Sequence, residues 1–248
     1  MRRALSCVLA ACALGACGTT GGDLVQFDVV ARGAGAALPD NALGWHVELS
    51  RAVLHIGAVY LNRSAPNSGS QATACILPGV YTAQELSALD VDVLSTAPQP
   101  FPEPGTGTDD EVVAGEIWLT GGDINAATDQ TVIVDLAGTA TQAAQPSVPF
   151  SARIQISSAN RGLMSTPGLP SLHPICKQRI VSPIRTDLRP RDGGTLSITV
   201  DPSGWFATVD FATLPPGGAF PDDNTSTAGA ALFTAIRAAT ATFQMSFQ

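Results

Sequence analysis

Apolar and polar residues alternate with a period of two along much of the chain, and this pattern predicts β-strands. At the C-terminus, Ala241, Phe243, Met245 and Phe247 alternate with threonine, glutamine and serine. Such a strand is stable only when its apolar face packs against a second layer, so we expect the last eight residues to lie in the core. Similar runs predict strands at 24–31, 115–119, 131–137, 150–157 and 196–200.

The longest strand pattern, at 45–61, changes its register in the middle. Its apolar residues first occupy odd positions, from Trp45 to Leu49, and from Ala52 onward they occupy even positions up to Tyr60. One extra residue restores a single buried face, which is the effect of a β-bulge. The sequence therefore predicts a bulge near Ser50.

A turn is predicted at 201–204, where aspartate comes first, proline second and glycine fourth, as in a type I turn. Alternation resumes after it at Ala207, Val209 and Phe211. These features predict a hairpin whose second strand begins at Trp205.

Helix signals are few. Thr82 and Glu85 have the spacing of a capping box, which predicts one or two helical turns. Residues 227–239 predict a three-turn helix that buries an apolar face consisting of Leu232, Phe233 and Ile236.

Two stretches predict loops. Residues 62–74 are rich in serine, asparagine, glycine and alanine, and residues 95–111 contain four prolines and a closing acidic run. The second loop is long enough to be mobile or to form a binding surface. The whole pattern predicts a mainly β fold, an antiparallel β-sandwich-like single domain over 24–248 with one or two short helices.

The first sixteen residues have the features of a secretory signal peptide. Arg2 and Arg3 give a positive start, and residues 4–16 are uncharged and almost wholly apolar. A helix of that length spans only about 20 Å, which is too short for the roughly 30 Å hydrocarbon core of a bilayer. We therefore do not expect a lasting transmembrane helix.

The segment ends in Leu14-Gly15-Ala16-Cys17, which resembles the lipobox of bacterial lipoproteins. In that family a leucine stands three residues before an invariant cysteine, with small residues between them. The resemblance implies cleavage before Cys17, a thioether-linked diacylglycerol on that cysteine, and a tether over 17–23. The alternative is an ordinary secretory signal with the cysteine merely nearby.

The lipid would hold the protein in the cell envelope, since acyl chains contribute about 0.8 kcal/mol per buried CH₂. Gly18 follows the cysteine. In the sorting rule of enteric bacteria, aspartate at that position retains a lipoprotein at the inner membrane. The resemblance therefore favours the outer membrane, on its periplasmic or surface face.

Charge argues against nucleic acid as a partner. Without Arg2 and Arg3, the chain has 11 basic residues against 21 acidic ones, a formal charge of −10. Such a protein does not neutralise phosphates and is repelled by anionic membrane surfaces. The expected partners are the membrane, through the lipid on Cys17, and an unidentified envelope protein or ligand.

Besides Cys17, the mature chain has two cysteines, Cys75 and Cys176. An even pair in an oxidising compartment predicts a disulfide. It would close a loop of about 100 residues, worth ~4.7 kcal/mol in the chain-entropy model. A pair of thiolate metal ligands and two free buried thiols are the alternatives.

Three histidines raise the question of a transition-metal site. His46 and His55 would both face outward, but nine residues of strand separate them by about 30 Å. Ligands of one metal lie about 2.0–2.3 Å from it, so these two cannot chelate together unless the strand reverses. His173 lies in a proline-flanked loop, and together with Met164 it is a candidate for an envelope copper site.

Two acidic clusters are candidates for calcium. Asp222 and Asp223, followed by an asparagine, lie in a loop rich in proline and glycine, and residues 109–111 are a similar cluster. Calcium takes about six to eight oxygens, and neither cluster has EF-hand spacing. We therefore expect no cofactor.

Common enzyme signatures are absent from the sequence, including Gly-x-Ser-x-Gly, His-Glu-x-x-His, Ser-x-x-Lys, the P-loop and Gly-x-Gly-x-x-Gly. We expect a lipid-anchored, non-catalytic binding or envelope-interaction module rather than an enzyme. The alternatives are an envelope lipoprotein that binds copper or calcium and a hydrolase of unrecognised type.

Overall fold

A computed structural model describes residues 22–65, 79–143, 145–161, 175–221 and 225–248. Within these ranges the chain forms thirteen strands in two sheets, three short α-helices and one 3-10 turn. The prediction of a mainly β, sandwich-like single domain is confirmed. Residues 1–21, which include the predicted lipobox and Cys17, lie outside the described residues.

The strands are numbered in chain order. The large sheet has nine strands: β1 (Leu24–Gly33), β3 (Ala58–Asn62), β4 (Tyr81–Glu85), β6 (Gln99–Pro100), β7 (Gly105–Thr108), β8 (Val112–Trp118), β11 (Ile180–Leu188), β12 (Thr195–Val200) and β13 (Phe243–Phe247). The small sheet has four: β2 (His46–Ile56), β5 (Leu89–Asp92), β9 (Val132–Thr141) and β10 (Val148–Gln155). The helices are α1 (Ile175–Arg179), α2 (Thr227–Ile236) and α3 (Ala239–Thr242), and the 3-10 turn is Phe211–Thr213.

The order in the large sheet is β11-β8-β3-β4-β7-β1-β12-β13, with β6 also paired to β1. Neighbouring strands are antiparallel except β1 and β12, which are parallel. The two edge strands approach each other, since the hydroxyl of Thr186 in β11 donates to the carbonyl of Met245 in β13 at 3.2 Å. The small sheet has the order β10-β9-β2-β5.

The predicted bulge in the longest strand is confirmed. The register between β2 and β9 shifts between Leu49 and Arg51. Beyond the shift, Ala52, Leu54 and Ile56 continue the buried face. The extra residue therefore keeps the apolar side chains of both halves of β2 in the core.

The prediction of one strand over 45–61 is wrong at Gly57, where the chain leaves the small sheet and enters the large sheet. A Cβ at position 57 would lie 1.8 Å from the carbonyl oxygen of Thr120. Only glycine permits this approach of two backbones. After the bend the periodicity shifts again, so Val59 and Leu61 face the core and Tyr60 does not.

The C-terminal strand is confirmed from Phe243 onward. Phe243 is buried, and Met245 and Phe247 are half-buried against the core. The Phe247 ring packs edge-on against Phe27 at 5.5 Å. Ala241, predicted as part of this strand, belongs to α3 instead.

The predicted hairpin after residue 204 is wrong. Turns and the 3-10 turn follow β12, whose strand partners are β1 and β13. Trp205, Val209 and Phe211 are nevertheless buried. The alternation of these apolar residues therefore reflects the burial of an irregular segment, although their spacing is that of a strand.

The predicted capping box at Thr82 is also wrong, because residues 81–85 form strand β4 between β3 and β7. Pairing with two neighbouring strands overrides the local helix signal.

The two predicted loops have different outcomes. The segment 95–111, predicted as a loop, contains β6 and β7, both paired with β1. Of the loop predicted at 62–74, residue 62 ends β3, and residues 66–74 lie outside the described residues.

Helix α2 confirms the predicted C-terminal helix, although it ends at Ile236 rather than at residue 239. Ser226 caps its N-terminus by accepting a hydrogen bond from the Gly229 amide at 3.2 Å. The predicted face of Leu232, Phe233 and Ile236 is buried. None of the described helices has both the length and the apolar character needed to span a bilayer.

One cysteine of the predicted disulfide is described. Cys176 lies in α1 and is fully buried. Cys75 lies outside the described residues, so the pairing stays a prediction.

Candidate functional site

The sequence-predicted metal candidates are not brought together by the described residues. His173, Met164, Asp222 and Asp223 all lie outside these residues. In the ranges that the structure covers, no three potential metal ligands cluster. The copper and calcium hypotheses therefore gain no support from the described geometry.

The two described histidines each face a carboxylate. His46 and His55 both lie on β2, at its first and tenth residues, and the strand does not reverse between them. The Nδ1 of His46 lies 2.9 Å from an oxygen of Asp40, and the Nδ1 of His55 lies 2.7 Å from an oxygen of Asp90. These are two separate pairs, as the strand separation predicted.

The acidic cluster at 109–111 is held by arginines. The Nη2 of Arg189 lies 3.2 Å from Oδ2 of Asp109, and the Nη1 of Arg63 lies 3.6 Å from Oδ1 of Asp110. The other oxygen of Asp109 accepts a hydrogen bond from the Asp23 amide at 2.9 Å. These contacts hold the strand ends together. They also give Asp109 and Asp110 each a positively charged neighbour, which disfavours the binding of a metal cation.

A better candidate lies on the outer face of the large sheet, opposite its core-facing side. Five side chains from five neighbouring strands stand directly opposite one another there. We call them the cross-strand row: Gln26 of β1, Thr106 of β7, Gln84 of β4, Tyr60 of β3 and Glu116 of β8. Directly opposed residues of a sheet point to the same side, so the five side chains lie next to one another on this face.

The first three members of the cross-strand row are exposed. Gln26, Thr106 and Gln84 face solvent, whereas their neighbours along the strands, Val25 and Ala83, are buried in the core. None of the three exposed side chains makes a hydrogen bond to another residue in the described part of the chain. Their amide and hydroxyl groups are thus free to bind a ligand.

A cleft of about 580 Å³ lies over this exposed part of the cross-strand row. Leu24, Tyr81 and Asp192 also line it. The side chain of Leu24 is unusually exposed, at 87%. The volume falls within the roughly 300–1,000 Å³ of ordinary ligand sites.

The other end of the row is an aromatic cluster around a buried carboxyl. The ring of Tyr60 lies 4.5 Å from that of Trp118 and 5.1 Å from that of Tyr81. Glu116 is fully buried. Its two oxygens accept hydrogen bonds, each of 3.3 Å, from the side chains of Asn62, Tyr81 and Trp118.

Burial raises the pKa of Glu116 above its usual value, and the donors on Trp118, Tyr81 and Asn62 offset only part of this shift. The pKa of Tyr81 is raised by its own burial and by the nearby Glu116 charge. The Tyr81 hydroxyl therefore stays protonated at neutral pH and acts as a donor to the carboxyl.

We expect this carboxyl to make stability depend on pH. Because the pKa of Glu116 is raised on folding, the folded protein holds more protons than the unfolded chain above pH 4.5, the carboxyl's usual pKa. The contribution of Glu116 to the free energy of unfolding therefore falls as the pH rises from 4.5. Glu116→Gln should reduce this fall, measured by denaturant unfolding at pH 4.5 and at about pH 7.

A matched control is Glu111→Gln, because Glu111 is exposed and has no ion pair within the described part of the chain. This variant should keep the wild-type pH dependence. A smaller pH dependence should remain in Glu116→Gln, since burial also raises the pKa of Glu85. Equal pH dependence in wild type and Glu116→Gln would contradict the assignment.

Sequence reasoning missed the cross-strand row because it missed two of its strands. Residues 81–85 were expected to begin a helix, and residues 105–108 were expected in a loop. Threonine at every second position of Gly105-Thr106-Gly107-Thr108 is a strand signal that could have indicated β7. The pairing of five strands is tertiary information, and the strand period alone does not contain it.

Comparison of the chain with protein-family models, with curated proteins and with solved structures returns no match. The chemistry of the cross-strand row is therefore the basis for its interpretation. It offers hydrogen-bonding amides and a hydroxyl, aromatic rings and one buried carboxyl. These groups suit recognition of a ligand through its polar edges and apolar faces.

Proposed function

We propose that the protein is a lipid-anchored lipoprotein of the cell envelope and that its β domain is a non-catalytic binding module. The cross-strand row is its binding surface. The observation that carries this proposal is the alignment, under one cleft, of the exposed polar groups of Gln26, Thr106 and Gln84, which make no hydrogen bond to another described residue.

The separation of the carboxyl groups near the row favours a binding role over two-carboxylate glycoside hydrolysis. Glu116 lies at one end of the row, and Asp192 lies near Gln26 at the other end, where it accepts a hydrogen bond from the Gln26 amide. Four strand spacings separate the two ends, roughly 19 Å along the sheet. Glycoside hydrolysis typically uses two carboxyls only about 5–9.5 Å apart.

The anchor and the cleft are close in sequence. Leu14-Gly15-Ala16-Cys17 supports acylation of Cys17, and Gly18 supports the outer membrane as its destination. Leu24, which lines the cleft, follows the acylated cysteine by seven residues. Seven residues span at most about 25 Å, so the binding surface would stay near the membrane.

The predicted Cys75–Cys176 disulfide belongs to the same proposal. The complete burial of Cys176 supports a structural role for it. The partners that follow are the membrane, through the lipid, and a ligand of the envelope; the acidic charge of the mature chain argues against nucleic acid.

The proposal predicts that the mature lipoprotein, purified in detergent, sediments with cell-wall material isolated from the same cells. The double variant Gln26→Ala/Gln84→Ala should lose most of this binding. Each amide is expected to contribute about 1 kcal/mol, so the two together reduce the affinity by tenfold or more. The measurement is the fraction of protein in the pellet at increasing amounts of cell-wall material.

The matched control is Gln244→Ala, since Gln244 is an exposed glutamine on β13, outside the cross-strand row. It should sediment like the wild type. Equal sedimentation of the double variant and the wild type would contradict the proposed binding surface.

A further inference from the structure

The cleft over the cross-strand row also indicates which class of ligand it takes. We infer that it binds a neutral, extended glycan chain, whose sugar rings lie across β1, β7 and β4. This inference rests on the proposed binding function and narrows it to one ligand class.

The polar groups of the row suit hydroxyl and acetamido groups. Gln26 and Gln84 each present an amide with two donors and one acceptor oxygen, and Thr106 between them presents a hydroxyl. All three residues are exposed and stand at strand spacing on neighbouring strands of the sheet. A sugar hydroxyl both donates and accepts hydrogen bonds, so it is satisfied by groups of this mixed kind.

The apolar groups suit the C–H faces of sugar rings. Tyr81 is 38% exposed and lines the cleft, and Leu24 lines it as well. Tyr81 is held in place by its hydrogen bond to Glu116 and by its contact with Tyr60. An aromatic face fixed in this way is a surface on which a pyranose ring can stack.

Charge decides between neutral and acidic glycans. The lining of the cleft has no basic side chain among its described residues, and it includes the carboxylate of Asp192. The mature chain as a whole is strongly acidic, with 21 acidic residues. An anionic polysaccharide would be repelled, whereas a neutral one would not.

The dimensions suit an oligosaccharide of a few rings. From Gln26 to Gln84 the row crosses two strand spacings, about 10 Å in total, and Tyr81 extends the lining farther along β4. One strand spacing is comparable to the length of one sugar unit in an extended chain. Successive units could therefore meet successive members of the row.

The test is isothermal titration calorimetry of the mature lipoprotein in detergent with three tetrasaccharides. The neutral probes are the tetramers of N-acetylglucosamine and of β-1,4-linked glucose, and the anionic probe is the tetramer of galacturonate. We expect at least one neutral tetramer to bind and the galacturonate tetramer not to bind. Gln84→Ala and Tyr81→Leu should each weaken binding by about fivefold or more, and Gln244→Ala should leave it unchanged.

Three outcomes would overturn the inference. The first is that neither neutral tetramer binds, and the second is that the galacturonate tetramer binds at least as tightly as both of them. The third is that Gln84→Ala and Tyr81→Leu bind the neutral tetramer as the wild type does. If the neutral tetramers fail while Gln26→Ala/Gln84→Ala still loses sedimentation with cell-wall material, only the glycan inference falls. If the neutral tetramers do not bind and the double variant sediments like the wild type, both the glycan inference and the proposed binding surface are wrong.

Discussion

Phe243→Ala is expected to lower the free energy of unfolding by about 3–5 kcal/mol, because it removes a buried aromatic ring and leaves a cavity. Phe243 is 2% exposed and begins β13, opposite Val200 of β12. A typical domain has a stability of about 5–15 kcal/mol, so the loss is a large part of the total. Denaturant unfolding of the wild type and the variant measures it.

The control is the next residue along the strand. Gln244 points to the opposite face and is exposed, so Gln244→Ala should change the free energy of unfolding by less than about 0.5 kcal/mol. Equal effects of the two substitutions would contradict the assignment of Phe243 to the buried face of β13.

Arg179→Ala is expected to lower the free energy of unfolding by at least about 3 kcal/mol, because it removes a fully buried side chain and leaves the carbonyls of Ile156 and Ile124 without this donor. The Arg179 side chain is fully buried at the end of α1. Its Nε and Nη2 donate to the carbonyl of Ile156 at 3.1 and 2.6 Å. Its Nη1 donates to the carbonyls of Asp123 and Ile124 at 3.2 and 2.8 Å.

Arg179→Lys should recover only part of this loss, since a single ammonium group cannot reproduce the planar arrangement of guanidinium donors. The control is Arg153→Ala on β10. Arg153 is 69% exposed and lies 3.7 Å from Asp135, a surface pair worth about 0–1 kcal/mol. Unfolding free energies that are equal for Arg179→Ala and Arg153→Ala would show that the buried guanidinium does not hold these segments together.

Strands that bury one whole face could be predicted from the sequence. In β10, Ala152 and Ile154 face the core and Arg153 between them faces solvent, so the strand period is visible in the residues themselves. The bulge in β2 could be predicted for the same reason, because a shift of register moves the apolar set from odd to even positions.

The segments that were predicted wrongly are those whose structure depends on distant partners. β4 is paired on both sides, and this pairing outweighs the helix signal of Thr82 and Glu85. The segment around Phe211 has apolar residues at strand spacing, yet they are buried in an aromatic cluster with Trp45 and Phe150 rather than in a sheet. In this segment the apolar residues have the spacing of a strand and are buried, but no strand forms.

The candidate site shows the same limit. Tyr60 and Glu116 lie in runs predicted as strands, but nothing in the sequence indicates that they stand opposite each other. Gln84 and Thr106 lie in segments whose type was predicted wrongly. The cross-strand row exists only once five strands are in register, so it could not be predicted from local patterns.

The proposal that the protein is an acylated envelope lipoprotein is tested most directly by mass spectrometry of the N-terminal peptide of the mature protein, isolated from membranes. We expect a peptide that begins at Cys17 and carries diacylglycerol on the thiol, and we expect Cys17→Ser to accumulate as unprocessed, unacylated precursor. A wild-type peptide with an unmodified Cys17, together with a Cys17→Ser protein cut at the same bond, would contradict the lipid anchor.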